Sequence, residues 1–276
     1  MRILLFFLIL TSLRASPWPL GENNRYLSLI YGIAEYDQLF FNRRRVAMSS
    51  QGHTGKGITN ESLSLHFQTG LNIRDTLLVS VQASNIGPML DLGGPKHQGF
   101  SDAYIGFKRN TKYGKISQGY ELGYLLPGSY QEEAITSPGY GAHEIHATWH
   151  WAKAYSRKSA LIAAIKAKIK AGPVPHSLGL TLQYQRRLNN GWNAQFLFSA
   201  EDAFGTVNLF DTSSGWPQGT NTAFHEKDEF QKFVGLGISK SLREDLNLFW
   251  LAAHKISYKN TNASRISHTL GVGYSF

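Results

Sequence analysis

The sequence predicts an all-β protein: a transmembrane, antiparallel, up-and-down β-barrel of twelve strands within a chain of 276 residues. Three observations carry this prediction. Apolar residues alternate with small or polar ones at period two along most of the chain. The connections between the alternating segments run short, long, short, long. An apolar leader opens the chain, and no other stretch approaches the ~18 apolar residues of a membrane helix.

The leader comes first. Met1 to Leu13 carries one positive residue, Arg2, then an apolar run from Ile3 to Leu10, with small Ala15 and Ser16 after it. This reads as a secretory signal peptide over 1–15, cut after Ala15, although Leu13 makes the site imperfect. The barrel is then expected over 16–276 as one domain. The sequence contains no cysteine, which leaves no group for a lipoprotein anchor, a disulfide or a thiolate site. Mean hydropathy is slightly negative, at −0.26. Helical spans would contradict that value, but barrel strands spend only every second residue on lipid. The formal net charge of +9 admits contact with anionic lipopolysaccharide, an anion-preferring lumen, or a generically basic surface. An exported chain with scattered lysines does not read as a nucleic-acid binder.

The strands follow in order. The first is expected at 26–40, with Leu27, Leu29, Tyr31 and Ile33 on one face. The second is the clearest: Leu63, Leu65, Phe67, Thr69 and Leu71 alternate with Ser62, Ser64, His66, Gln68 and Gly70. After a tight turn at 72–75, the third runs 76–85. The fourth and fifth, 100–109 and 115–126, are joined by a polar turn. The sixth and seventh, 143–155 and 159–171, meet around 156–158. The eighth and ninth, 177–188 and 192–204, flank Asn189-Asn190-Gly191, a strong hairpin signal. The tenth and eleventh are 230–240 and 246–258. The twelfth, 264–276, carries Ile266, His268, Leu270, Val272, Tyr274 and Phe276 on one face and Arg265, Ser267, Thr269, Gly271, Gly273 and Ser275 on the other. Its final aromatic looks like the terminal signal read by the outer-membrane barrel-assembly machinery, an expected partner along with outer-membrane lipid.

Long connections are expected at 41–58, 86–99, 127–142 and 205–229, moderate ones after the seventh and eleventh strands, and short ones after the second, fourth, sixth, eighth and tenth. Gram-negative outer-membrane barrels pair short periplasmic turns with long extracellular loops. Trp149, Trp151, Tyr184, Trp192, Tyr274 and Phe276 fall near the short-turn ends on the apolar face, where a lower aromatic girdle belongs. Phe100, Tyr124 and Tyr258 are the upper candidates.

At the fourth and fifth strands, Asp102-Ala103-Tyr104-Ile105-Gly106-Phe107-Lys108 and then Gly123-Tyr124-Leu125-Leu126-Pro127-Gly128 resemble the outer-membrane barrels of the phenol-degradation meta-pathway family. Ser101 stands where that family has Gly, and a Thr is missing before Gly128. Trp18-Pro19-Leu20-Gly21 is also similar. The resemblance implies a transporter-type barrel, with no particular substrate.

With apolar side chains on lipid, the candidate lumen-lining and solute-binding residues are Asp102, Lys108, Glu121, Glu144, His146, His150, Lys166, Lys168, Lys170, Arg187, Glu201 and Arg265. Tyr104, Lys115, Gln183, Gln185 and Lys255 share their face. Lys166, Lys168 and Lys170 could be drawn on a basic amphipathic helix, but their alternation with Ala and Ile fits period two better than 3.6. The face admits a structural salt-bridge network or a selectivity ring for anions. A metal reading of His143, Glu144, His146 and His150 fails on geometry, because one strand cannot converge three ligands and His143 points the other way. A lipid hydrolase needs Ser and His within reach of each other. Ser267 and His268 are adjacent, so they point to opposite faces, and His254 has no evident Ser partner. The function expected is passive passage of small, anionic or aromatic solutes through the outer membrane, without enzymatic activity or cofactor. The alternatives are a closed barrel with a structural or adhesive role through its loops, and a lipid-modifying hydrolase.

Overall fold

The computed structural model describes residues 20–41, 44–47, 58–88, 97–112, 116–128, 142–171, 176–204, 230–259 and 262–276. The leader expected at 1–15 lies outside them, as do the bodies of the long connections. The strands are β1 (Arg25–Phe41), β2 (Arg44–Ala47), β3 (Ile58–Gly70), β4 (Asp75–Pro88), β5 (His97–Lys112), β6 (Ile116–Pro127), β7 (Glu144–Ser156), β8 (Ser159–Lys170), β9 (His176–Arg187), β10 (Trp192–Phe204), β11 (Phe230–Ser241), β12 (Leu246–Lys259) and β13 (Asn262–Ser275). Twelve of them form one closed antiparallel barrel in chain order, as the sequence predicts. β2 is the addition: it folds back on the far end of β1, pairing Gln38 with Ala47 through Phe41 with Arg44. From sequence alone this stretch is expected as loop, because four residues are too few for alternation to register. Among the described residues there is no helix.

The ring closes where β1 meets β13, from Tyr26 opposite Ser275 to Leu39 opposite Asn262. Arg25 N–H donates to Phe276 O at 2.8 Å, and Phe276 N–H donates back to Arg25 O at 3.0 Å. With no open edge, every backbone group along the wall has a neighbouring strand to bond, which a bilayer demands. The barrel strands run 12 to 17 residues, longer than the roughly 9–11 needed to cross a bilayer.

Local chemistry sets the short turns. In the β3–β4 turn, Asn72 Oδ1 accepts the N–H groups of Arg74 (2.8 Å) and Asp75 (2.9 Å), so the side chain stands in for a backbone acceptor. Between β9 and β10, Asn190 and Gly191 both have positive φ, 54° and 73°. Hairpins that follow the right-handed strand twist use such pairs, and Asn-Gly is the pair that adopts them at least cost.

The alternation sorts the wall into two faces. Leu63, Leu65, Ile105, Ile145, Ile165, Ile169 and Leu270 are exposed on the outside. Trp149, Tyr184, Trp192, Tyr274 and Phe276 lie exposed on the same face near the short turns, with Trp151 partly exposed among them. Phe100 and Tyr124 are exposed at the other end; the Tyr258 side chain lies outside the described residues. The inner face is not uniformly polar. Ile30, Leu78, Ile162, Leu197 and Leu251 point inward and are buried, all within a few residues of the short-turn end. A twelve-stranded barrel lies between the eight-stranded size that side chains fill and the sixteen-stranded size that holds a water channel, and near the short turns these apolar groups pack among buried polar ones such as Thr76, Lys108 and Gln183.

Candidate functional site in the barrel lumen

The inner face divides into two halves. The half made by β5 to β10 carries charge; the half made by β11 to β13, β1, β3 and β4 carries hydroxyl and amide side chains with apolar ones such as Ile30, Leu78, Phe233 and Leu251 among them, and Lys255 is its buried cation among the described side chains. The charged half is built by register. On β8, Lys166, Lys168 and Lys170 point inward between outward Ile165, Ala167 and Ile169. The β7 ladder sets Glu144 opposite Lys170, His146 opposite Lys168 and Thr148 opposite Lys166. On the other side β9 offers Gly179, where a Cβ would come within 3.9 Å of a Glu201 carboxylate oxygen. Glu201 stands opposite Gly179 in the β9–β10 ladder and reaches over β9 to Lys168.

Three carboxylates are thereby committed. Lys168 Nζ donates to both oxygens of Glu201, at 2.9 and 3.1 Å, and Ser177 Oγ donates to the same carboxylate at 2.6 Å. Glu144 lies 2.7 Å from His146 Nε2 and 3.9 Å from Lys170 Nζ. Glu121 accepts the Tyr104 hydroxyl at 2.6 Å and has His150 Nε2 at 3.4 Å, near but poorly directed for a hydrogen bond. The Tyr104 ring lies flat on the wall because two glycines face it: a Cβ on Gly106 would sit 2.8 Å from the ring, and one on Gly123 would sit 2.0 Å from its hydroxyl. Those residues belong to the stretch that resembles a known family, and here they have a steric reason.

Lys166 is left over. It is 7% exposed, its ammonium lies 5.9 Å from the centroid of the Tyr104 ring, and no carboxylate ion-pairs with it among the described residues. Lys166 thus sits at mid-height without a direct ion pair, in the field of Glu121, Glu144 and Glu201. The opposing half offers neutral donors and acceptors: Ser64 Oγ donates to Gln82, and Ser84 accepts from Ser101 Oγ of neighbouring β5. Both ring nitrogens of buried His66 lack a partner.

Of the remaining candidates from the sequence, Asp102 faces inward. A bulge opposite Gln82 and Ala83 turns Ser101 and Asp102 inward together. Lys108 is buried opposite Glu121 in the β5–β6 ladder. Arg187 is exposed at the β9–β10 turn, at the rim, because its strand ends there. The Arg265 and Lys115 side chains lie outside the described residues. Ser177, Gly179 and the apolar inward set were not singled out from sequence. A small residue in register between two charged strands is the signal for the first two.

The outer and inner faces also separate the hydrolase candidates. Ser267 is buried inside and donates to Ala253 O at 3.2 Å. His268 is outside, stacked on Trp250 at 6.0 Å. His143 is likewise outside, 2.9 Å from the Tyr124 hydroxyl, across the wall from Glu144 and His146. Among the described residues no group of three His, Asp or Glu side chains could hold a metal ion.

No family model matches the sequence, and no curated protein matches it either. The likeness to the phenol-degradation barrels therefore has no support from a sequence family, and the resemblance stands at the level of fold. The chain is similar in structure to an outer-membrane channel from Pseudomonas putida F1, with a TM-score of 0.75 at 12% identity over 95% of this chain and 98% of that one. It is similar to the NanC porin, with a TM-score of 0.57 at 7% identity over 90% and 98%. It is similar to the KdgM porin, with a TM-score of 0.50 at 9% identity over 90% and 99%. At such identities the likeness establishes the fold: a twelve-stranded barrel of the type that outer-membrane channels and porins adopt.

Proposed function

We propose that the chain is an outer-membrane channel for passive passage of small solutes, and that it favours anions. The observation that carries this reading is Lys166. Its neighbours Lys168 and Lys170 ion-pair with Glu201 and Glu144, whereas no carboxylate lies within ion-pair distance of Lys166 among the described residues, so we read its ammonium as the contact point for a passing anion. A fixed cation in a narrow, low-dielectric path attracts anions and repels cations. The hydroxyl and amide half opposite supplies hydrogen bonds to replace part of the solute's hydration. The likeness to outer-membrane channels supports the reading.

Single-channel recording in planar bilayers under a KCl gradient tests it. The reversal potential should report chloride preference, and Lys166→Gln should reduce that preference while leaving a barrel that inserts. Absence of conductance at every salt concentration would reject the channel, and cation preference would reject the role given to Lys166.

A second reading is a closed barrel with a structural or adhesive role. It is favoured by the near-complete burial of inward side chains such as Gln183, Ser199 and Thr269, each 1% exposed. The same recordings separate the two. A lipid hydrolase is disfavoured because the wall stands between Ser267 and the outward histidines.

A further inference from the structure

The turns β7–β8 and β9–β10 lie side by side at the edge that holds the ring-closing pair Arg25 and Phe276. Between them they carry Arg157, Lys158, Arg186 and Arg187, all exposed. The turns are tied together: Arg187 N–H donates to Lys158 O at 2.6 Å, and Arg186 stands opposite Ser159 in the β8–β9 ladder. Lys153 is exposed on the outer face two residues before Tyr155 on β7, its ammonium 5.3 Å from the centroid of that ring. None of these cations has a carboxylate partner among the described residues. The described carboxylates at this edge, Glu22, Asp75, Glu244 and Asp245, sit on other turns, and Arg109 and Arg243 already hold Asp75 and Asp245.

Immediately toward the apolar band come outward aromatics: Tyr155, Tyr184, Trp151 and Trp192. Lys240 lies 5.1 Å from the centroid of the Trp192 ring. Outward from mid-barrel the order is therefore apolar side chains, then amphipathic rings, then unpaired cations. A phospholipid monolayer presents acyl chain, glycerol ester and phosphate in that order, with rings favoured at the ester level and cations at the phosphate.

We infer that this patch binds anionic phospholipid headgroups in the periplasmic leaflet, and so anchors one side of the barrel edge. Short turns and both ends of the barrel strand ladder mark this edge as periplasmic, where the facing leaflet is phospholipid and not lipopolysaccharide. The inference rests on the barrel spanning a bilayer and not on conduction, so a barrel that passes no current can still show it.

The test uses the full chain refolded into phosphatidylcholine vesicles doped with brominated phosphatidylglycerol or brominated phosphatidylcholine. Trp149, Trp151, Trp192 and Trp250 all lie on the outer face toward this edge and report contact by quenching. Brominated phosphatidylglycerol should quench more strongly than its zwitterionic counterpart at low salt, and the difference should vanish at about 1 M salt, where the Debye length is about 3 Å. The quadruple variant Arg157→Gln, Lys158→Gln, Arg186→Gln, Arg187→Gln should lose the difference, by up to about fivefold in relative affinity per cation removed. If that variant does not fold, the pair Arg157→Gln, Arg187→Gln and the salt titration of the unaltered chain carry the test. Equal quenching by the two lipids in the unaltered chain would overturn the inference. So would a preference that survives both high salt and the substitutions.

Discussion

Replacing Glu201 by glutamine removes the one carboxylate that ion-pairs with Lys168 among the described residues. Both side chains are 3% exposed, so the ammonium cannot swing out to bulk water, and the neighbouring carboxylate of Glu144 is already engaged by His146 and Lys170. Breaking a buried pair from one side costs about 3–5 kcal/mol, because the surviving charge stays desolvated. Glutamine keeps an acceptor for Ser177, which now donates at 2.6 Å, so the loss should fall toward the lower end, about 3 kcal/mol. The contrast is Arg243 with Asp245 at the rim, where the side chains are 65% and 36% exposed. Asp245→Asn should cost no more than about 1 kcal/mol. Replacing both inner partners, Lys168→Met with Glu201→Leu, should recover most of the loss, since matched apolar groups leave no orphan charge. Urea titration of the barrel refolded into vesicles gives all four free energies. The reasoning is refuted if Glu201→Gln costs no more than Asp245→Asn, or if the double replacement is no better than the single one.

Two further outcomes follow from the wall. Gly123→Ala would place a Cβ 2.0 Å from the Tyr104 hydroxyl, so the ring must leave Glu121; a loss of about 1–3 kcal/mol is expected from overpacking, and Tyr104→Ala in the same chain should relieve part of it in the same titration. Leu63→Arg puts a charge on the outer face at the middle of β3, where Leu63 is 47% exposed; about 2–4 kcal/mol should be lost in vesicles, whereas a water-facing site would change stability by within about 0.5 kcal/mol.

The outline of the barrel was legible because alternation is a local property. The Lys166, Lys168 and Lys170 row announces its strand and its face without knowledge of any neighbour, and Asn190-Gly191 announces its turn. What stayed hidden depends on partners in space. The bulge that turns Ser101 and Asp102 to the same side is a mismatch against β4, invisible in β5 alone. Glu201 meeting Lys168 across Gly179 is a relation among three strands. Arg187 has inward parity but lies at the rim, because parity says nothing of where a strand ends. Ile30, Leu78 and Leu251 were unanticipated inside because the binary rule assumes a wet lumen, and a narrow end is filled by whatever packs. That Lys166 has no direct ion pair among the described residues can be seen only once its neighbours' partners are known.

The hydrogen bonds between Arg25 and Phe276 join positions at opposite ends of the sequence, so the seam cannot form until the last strand has arrived. Every other strand pair in the ring is between neighbours in sequence and can zip as the chain is delivered. Closure is then the slow, late event, since long-range pairing must overcome the largest entropy of loop formation. Until it happens, β1 and β13 each present a bare row of donors and acceptors, able to pair with another copy. A helper that shields those two rows would therefore act mainly on yield, leaving the stability of the finished cylinder unchanged.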